Sequence, residues 1–228
     1  MGSIRKLLDR SSHFLQRRLA KPTWDFSRYV KDPRAQRGRR WELNALMSAL
    51  LFGLLTNRRS LRGTQGLTEW EGAWVRALIG GRAPDSTLYD LLGGLTPEGL
   101  REQLHDQVHE LWRAKALEPV GLPCTVAAVD GKTIWSGVSE TGPDLECQTA
   151  HHEGRPSTSQ LRVIRTVLIS AAGTPAIDQA VVPKVTNEMG AFATVFADLE
   201  GAYGVMIEVY SAAPRLAFRL LFAGKRDR

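Results

Sequence analysis

Asp130 is the residue whose setting most needs a chemical account. It follows the apolar run Val126-Ala127-Ala128-Val129 and precedes Gly131-Lys132-Thr133. A carboxylate at the end of a buried strand is costly unless it is paired, hydrogen-bonded or bound to a metal, and the glycine leaves space beside it. Ligation of a metal ion suits this arrangement. The same Asp-Gly pair also suits a turn. Lys132 carries a charge that could touch a phosphate, and it equally suits a solvated loop.

Other reactive side chains form weaker sets. Cys147, His151 and His152 lie close together, but their spacing matches no familiar zinc pattern and no second pair of ligands follows. His105 and His109 are four apart on a predicted helix, without a third ligand or an intervening Glu, and read as surface polar residues. Ser157 and Ser159 lack a Gly-Xaa-Ser-Xaa-Gly setting, and no phosphate-binding glycine loop occurs. Hydrolase and nucleotide-binding classes therefore lack support.

Charge is distributed unevenly. Residues 1–62 hold 15 basic and 4 acidic side chains, whereas the remainder holds 15 and 20, so the overall +6 is concentrated at the front of the chain. Arg34, Arg37, Arg39 and Arg40 precede the first strongly apolar helix, and Arg58, Arg59 and Arg62 follow it. Such clusters either solvate helix ends or meet phosphates in a salt-sensitive, sequence-independent way. Trp24, Tyr29 and Trp41 lie among these arginines, and burial explains Trp41 more economically than base stacking.

The elements that must position these groups fall into three stretches. Residues 1–40, broken by Pro22 and Pro33, are expected to form a basic N-terminal arm of short helical pieces. From Trp41 to Glu118 the apolar spacing is helical, with helices expected over 43–55 and 67–79, then one entered through Pro84-Asp85-Ser86-Thr87 and one from Pro97. After Pro119-Val120-Gly121-Leu122-Pro123 the periodicity becomes extended, which sets a domain boundary there. Strands are expected over 125–129, 161–170, 176–182 and 205–210, with a polar loop over 136–159. A helix opened by Asn187-Glu188 should present Met189, Phe192, Val195, Phe196, Leu199 and Tyr203 on one face. The fold class expected is α/β: an all-helical N-terminal domain over 41–118, then a sheet domain over 122–228.

With 43% hydrophobic side chains the chain can bury a sizeable core. Two cysteines are too few for a disulfide scaffold. The apolar run Leu43–Leu55 falls short of the roughly 20 residues needed to cross a bilayer, and no secretory signal pattern opens the chain. A cytoplasmic protein without membrane contact is expected.

Two strings, Ala128-Val129-Asp130-Gly131-Lys132-Thr133 and Pro183-Lys184-Val185-Thr186-Asn187-Glu188-Met189, stand in order. Together they resemble DDE transposases of bacterial insertion sequences, particularly the group associated with H-repeat elements, over roughly residues 40–210. The resemblance implies an RNase H-like catalytic domain that acts on the ends of a mobile DNA element. Asp130 would be the central ligand of two Mg²⁺ ions about 3.5–4 Å apart. Lys132, Arg39, Arg40, Arg58 and Arg59 become candidate nucleic-acid contacts. Element-end DNA is the implied partner, with a homo-oligomer, or a hetero-oligomer with intact transposase, as a possible assembly.

The chain departs from that pattern after the last expected strand. A second catalytic aspartate should follow it, yet the chain reads Tyr210-Ser211-Ala212-Ala213-Pro214-Arg215, with no acid until Asp227. Residues 211–228 are therefore expected to be a frameshifted tail, the RNase H-like domain incomplete, and strand cleavage impaired, since one ligand cannot organise two ions. The alternative is a non-catalytic DNA-binding remnant that occupies element ends or interferes with intact transposase. A third is a degenerate reading frame whose open sheet edge invites aggregation. Glu188 reads as a first-turn helix residue and Glu208 as an edge residue of a strand.

Overall fold

The computed structural model describes residues 2–37, 39–69, 79–138, 147–204 and 206–212. By internal contact the chain divides into two units, 1–107 and 108–228. The division falls ahead of the Pro-Gly segment because residues after Gln107 pack with the second unit. His109 lies against Tyr203, with ring centroids 5.5 Å apart, and the Ala171 amide donates to the Glu118 carbonyl.

The first unit is helical. Helix α1 (Gly2–Leu19) is followed by single 3₁₀ turns at Pro22–Trp24 and Phe26–Arg28, then by α2 (Leu43–Leu55), α3 (Leu61–Thr68), α4 (Asp85–Gly94) and α5, which starts at Pro97 and runs to Arg113. Helix α2 is apolar nearly throughout, so it sits in the centre: Leu46 and Ala49 are fully buried and Phe52 almost so. It ends where the Thr56 hydroxyl and amide return to the Phe52 carbonyl, and Asn57 adopts the left-handed conformation that asparagine tolerates. Helix α3 begins earlier than the apolar spacing suggested, because the Ser60 hydroxyl accepts the Gly63 amide as an N-cap. The rest of the helix expected over 67–79 lies outside the described residues, apart from Ile79.

The basic arm expected over 1–40 is instead built into this unit. Phe26 and Val30 belong to the same core cluster as Leu46, Leu88 and Leu91, and Leu15 of α1 packs with Phe52 and Leu67. The Tyr29 hydroxyl donates to Asp106 at 2.6 Å. The side-chain amides of Gln103 and Gln107 both donate to the Thr23 carbonyl. Prolines 22 and 33 break the helix without releasing the chain, because large apolar side chains between them still need burial.

The second unit is a five-stranded mixed sheet with one helix packed against β3, which bears out the α/β class. Its strands are β1 (Val126–Val138), β2 (Gln148–His152), β3 (Arg155–Ile169), β4 (Ala176–Val181) and β5 (Val209–Ala212), with α6 (Glu188–Tyr203) between β4 and β5. β3 pairs antiparallel with β1 along one side, and with β2 and β4 in succession along the other. β5 adds to the free side of β1 in parallel, Val129 pairing with Ala212.

Several strands differ from their expected lengths. β1 does not stop at Asp130 but runs on, with Asp130 opposite Arg165 and Gly131 opposite Ile164, so the turn reading of Asp-Gly is overturned. The loop expected over 136–159 contains the end of β1, all of β2 and the start of β3; residues 139–146 lie outside the described ones. β5 starts at Val209, and the residues from Ala213 onward, including most of the expected frameshifted tail, also lie outside.

Helix α6 is capped as its sequence indicates, the Asn187 side chain accepting the Gly190 amide at 2.9 Å. Its buried row is Ala191, Val195, Leu199 and Tyr203, spaced by four. Met189, expected on that face, is exposed. Among the described residues no helix is long and apolar enough to cross a membrane.

Candidate functional site

Strand alternation decides what Asp130 can reach. Ala127 and Val129 point to the sheet face that α6 covers and are buried, as are their neighbours Thr166, Leu168 and Tyr210. Tyr210 is tied to the helix by its hydroxyl, which donates to the Leu199 carbonyl, and burial raises its pKa to about 12. Asp130 and Lys132 therefore project from the opposite face, which is open at these two residues although Val163, paired with Lys132, is buried. There the Lys132 ammonium lies 2.5 Å from Asp130 Oδ2, both side chains being about half exposed. Directly across, Arg165 donates through Nε and Nη2 to Gln179 Oε1, at 3.0 and 2.8 Å.

Glu188 is brought to the other side of the same strand. Its carboxylate fills the space over Gly131, where the Cβ of any other residue would collide with it. Gly131 thus leaves room for the end of the Glu188 side chain, a use of glycine that the Asp-Gly pair alone does not reveal. The two strings singled out in the sequence meet here. A further tie comes from β2, whose Gln148 amide donates to the Thr186 carbonyl just before the helix.

Metal ligation can be tested against these positions. Asp130 is the sole acid among the residues that β1, β3, β4 and β5 present on the open face. Its near oxygen is taken by Lys132. Glu188 stands against Gly131 on the covered face, and Asp178, wholly buried, lies on that face beside Thr166. Among the described residues no group of three or more His, Cys, Asp and Glu could hold a metal ion. These residues do not fit a two-ion centre, and no step is derived through one. His151 shares a 2.9 Å hydrogen bond with Ser157 in the β2–β3 hairpin, and Cys124 and Cys147 are free thiols.

The arginines separate into two kinds. Arg34 is almost buried and holds Asp32 through Nε and Nη2 while Nη2 also reaches the Trp41 carbonyl. Arg39 donates to the Arg34 carbonyl and pairs with Asp32 at 3.7 Å. These two staple the chain into α2 and are largely spent on structure. Arg40 lies over the Trp41 ring, 5.1 Å from its centroid. Arg58 and Arg59 are exposed beyond the other end of α2, beside an apolar cavity of about 620 Å³. A helix of 13 residues spans ~20 Å, so Arg40 and the Arg58-Arg59 pair flank a stretch of that length rather than sharing one helix end.

The Asp32 clasp gives a pH-dependent expectation. The Arg34 guanidinium hydrogen-bonded to it, foremost, holds its carboxyl below the usual carboxylate range. A depressed pKa stabilises the fold fully above the unfolded value, and that contribution is lost as pH falls through the folded value. Stability should therefore decline as pH falls below about 4. Asp32→Asn should lower stability at pH 7 by about 2 kcal/mol and flatten the decline at acid pH. Urea midpoints measured from pH 7 to 2.5 check both.

Compared with models of known families, with curated proteins and with solved structures, the chain has no match. Sequence reasoning missed Arg165, whose role appears only when β3 is laid beside β1. It also read Glu188 as a first-turn helix residue without its contact to Gly131. The nearest signal for that contact was the glycine itself, in a strand where a side chain would normally pack.

Proposed function

We propose that this chain is a DNA-binding protein of the DDE transposase type, built on an RNase H-like sheet and impaired in strand cleavage because its described strands present one acid, Asp130, on the face in question. One observation carries the reading. The resemblance requires the strand bearing Asp130 and the strand preceding the next acid to lie side by side, so that two carboxylates can share ions about 3.5–4 Å apart. β1 and β5 are neighbours and parallel, and Val129, one residue before Asp130, pairs with Ala212. Local sequence does not dictate this pairing, since the two strands are joined through β2, β3, β4 and α6. The contact of Glu188 with Gly131, which joins the two strings, supports the same reading.

Mg²⁺-dependent cleavage belongs to the family the chain resembles and would need acids beyond Asp130 on the open face. Binding needs only cations, and Arg40, Arg58 and Arg59 supply them.

The test is duplex binding by the full chain across a salt series, with a nicking assay beside it. Binding should weaken steeply with salt. Arg58→Ala with Arg59→Ala should reduce the slope of log K against log salt by about 2. Failure to bind duplex DNA at low salt overturns the reading. Mg²⁺-dependent nicking that disappears in Asp130→Ala would overturn the impairment and leave the family reading standing.

A further inference from the structure

The open face at Asp130 has a sign that the resemblance does not suggest. Lys132, Asp130 and Arg165 form one contiguous group, two cations about a single anion, because Lys132 lies two residues along β1 and Arg165 is the direct partner on β3. The Lys132 ammonium meets Asp130 Oδ2, and the Arg165 guanidinium is oriented by Gln179, a neutral acceptor that leaves its charge intact. Lys132 and Arg165 are exposed. The remaining residues presented by β1 on this face before Asp130 are Val126 and Ala128, neither of which adds charge.

We propose that this row is a metal-independent seat for the phosphate backbone of duplex DNA, in which Lys132 takes the place of a divalent ion at Asp130. The proposal rests on the DNA-binding reading above and names how one part of that surface works. The charge arithmetic favours a polyanion: the row is net positive, and neutralised phosphates release counterions on binding. Asp130 then acts against binding. It draws Lys132 toward itself and repels phosphate, whereas a metal-holding aspartate would draw phosphate in through its ion.

The two roles predict opposite signs for one substitution. Affinity of the full chain for a mixed-sequence 20-base-pair duplex is measured by fluorescence anisotropy, in EDTA and in Mg²⁺ at matched ionic strength. Asp130→Asn should tighten binding roughly three-fold in both buffers, by freeing Lys132 and removing a negative charge. Lys132→Gln and Arg165→Gln should each weaken it roughly three-fold, and Lys132→Arg should retain it. All three positions are surface-facing, and circular dichroism melts of each variant check that the fold is kept.

If Asp130→Asn weakens binding in Mg²⁺ and has no effect in EDTA, the aspartate holds an ion and the proposal is overturned. Wild-type affinity shared by every variant overturns it too, while DNA binding through the arginines of the helical unit stands. If the wild-type chain binds no duplex in either buffer, the DNA-binding reading falls and the proposal with it.

Discussion

Leu199→Ala should lower the stability of the sheet unit by about 3 kcal/mol, the cost of a truncated, fully buried leucine plus the cavity left behind. Leu199 is completely buried at the middle of the row Ala191, Val195, Leu199 and Tyr203. Its carbonyl accepts the Tyr210 hydroxyl of β5, and one turn later the Tyr203 hydroxyl donates to the Ile177 carbonyl of β4 at 2.8 Å. A void at this point therefore loosens the helix against two strands together. The row has no flexible neighbour well suited to fill the gap, since Tyr203 is fixed by its hydroxyl and Ala191 and Val195 are small. Amide hydrogen exchange should show the loss as faster exchange in β1 and β3, with a matching fall in the urea midpoint. Protection in those strands equal to the wild type would mean that α6 is not what seals the covered face. The open-face row depends on the same packing, because burial of its other face fixes the register of β1.

Gly99→Ala should destabilise the helical unit by about 2–3 kcal/mol through overpacking. A methyl group at this position, in the first turn of α5, would collide with the Tyr29 carbonyl and press on Val30 Cγ2 at 3.3 Å. The obstacle is backbone, so it cannot rotate away. Moving it would disturb buried Val30 and the hydrogen bond from Tyr29 to Asp106, a group of contacts in which burial, foremost, raises the tyrosine pKa to about 12. Gly93→Ala is the natural control. That position is exposed on α4 with open space where a methyl group would sit, so the better helix propensity of alanine should stabilise by about 0.5 kcal/mol. Thermal melts of the two variants should shift in opposite directions. Equal shifts would show that close approach to Tyr29 is not what distinguishes Gly99.

Helices were the most legible elements. The 43–55 helix, the entry through Pro84-Asp85-Ser86-Thr87, the start at Pro97 and the Asn187 cap all follow from neighbours within four residues, where helical hydrogen bonds are made. The arm expected over 1–40 misled because charge dominates its composition. Two features outweighed that charge: Phe26 and Val30 enter the core, and Asp32 consumes Arg34 and Arg39. The strands misled at their ends. Asp130-Gly131 has turn composition, but pairing with Arg165 and Ile164 carries β1 through it, because a strand is extended by its partner rather than by its own residues.

The sequence by itself determined the central helices, the strands other than β2, the Asp-Gly-Lys string, the Asn-Glu opening of the last helix and the concentration of positive charge before residue 63. Only the tertiary structure decided that Asp130 faces the open side of the sheet with Lys132 and Arg165, while Glu188 reaches Gly131 from the covered side. The physical reason lies in the strand. Alternation sends successive side chains to opposite faces, but which face is covered depends on where the distant helix packs. Charge at a site is likewise a sum over strands that the chain brings together from far apart, and no local spacing encodes that sum.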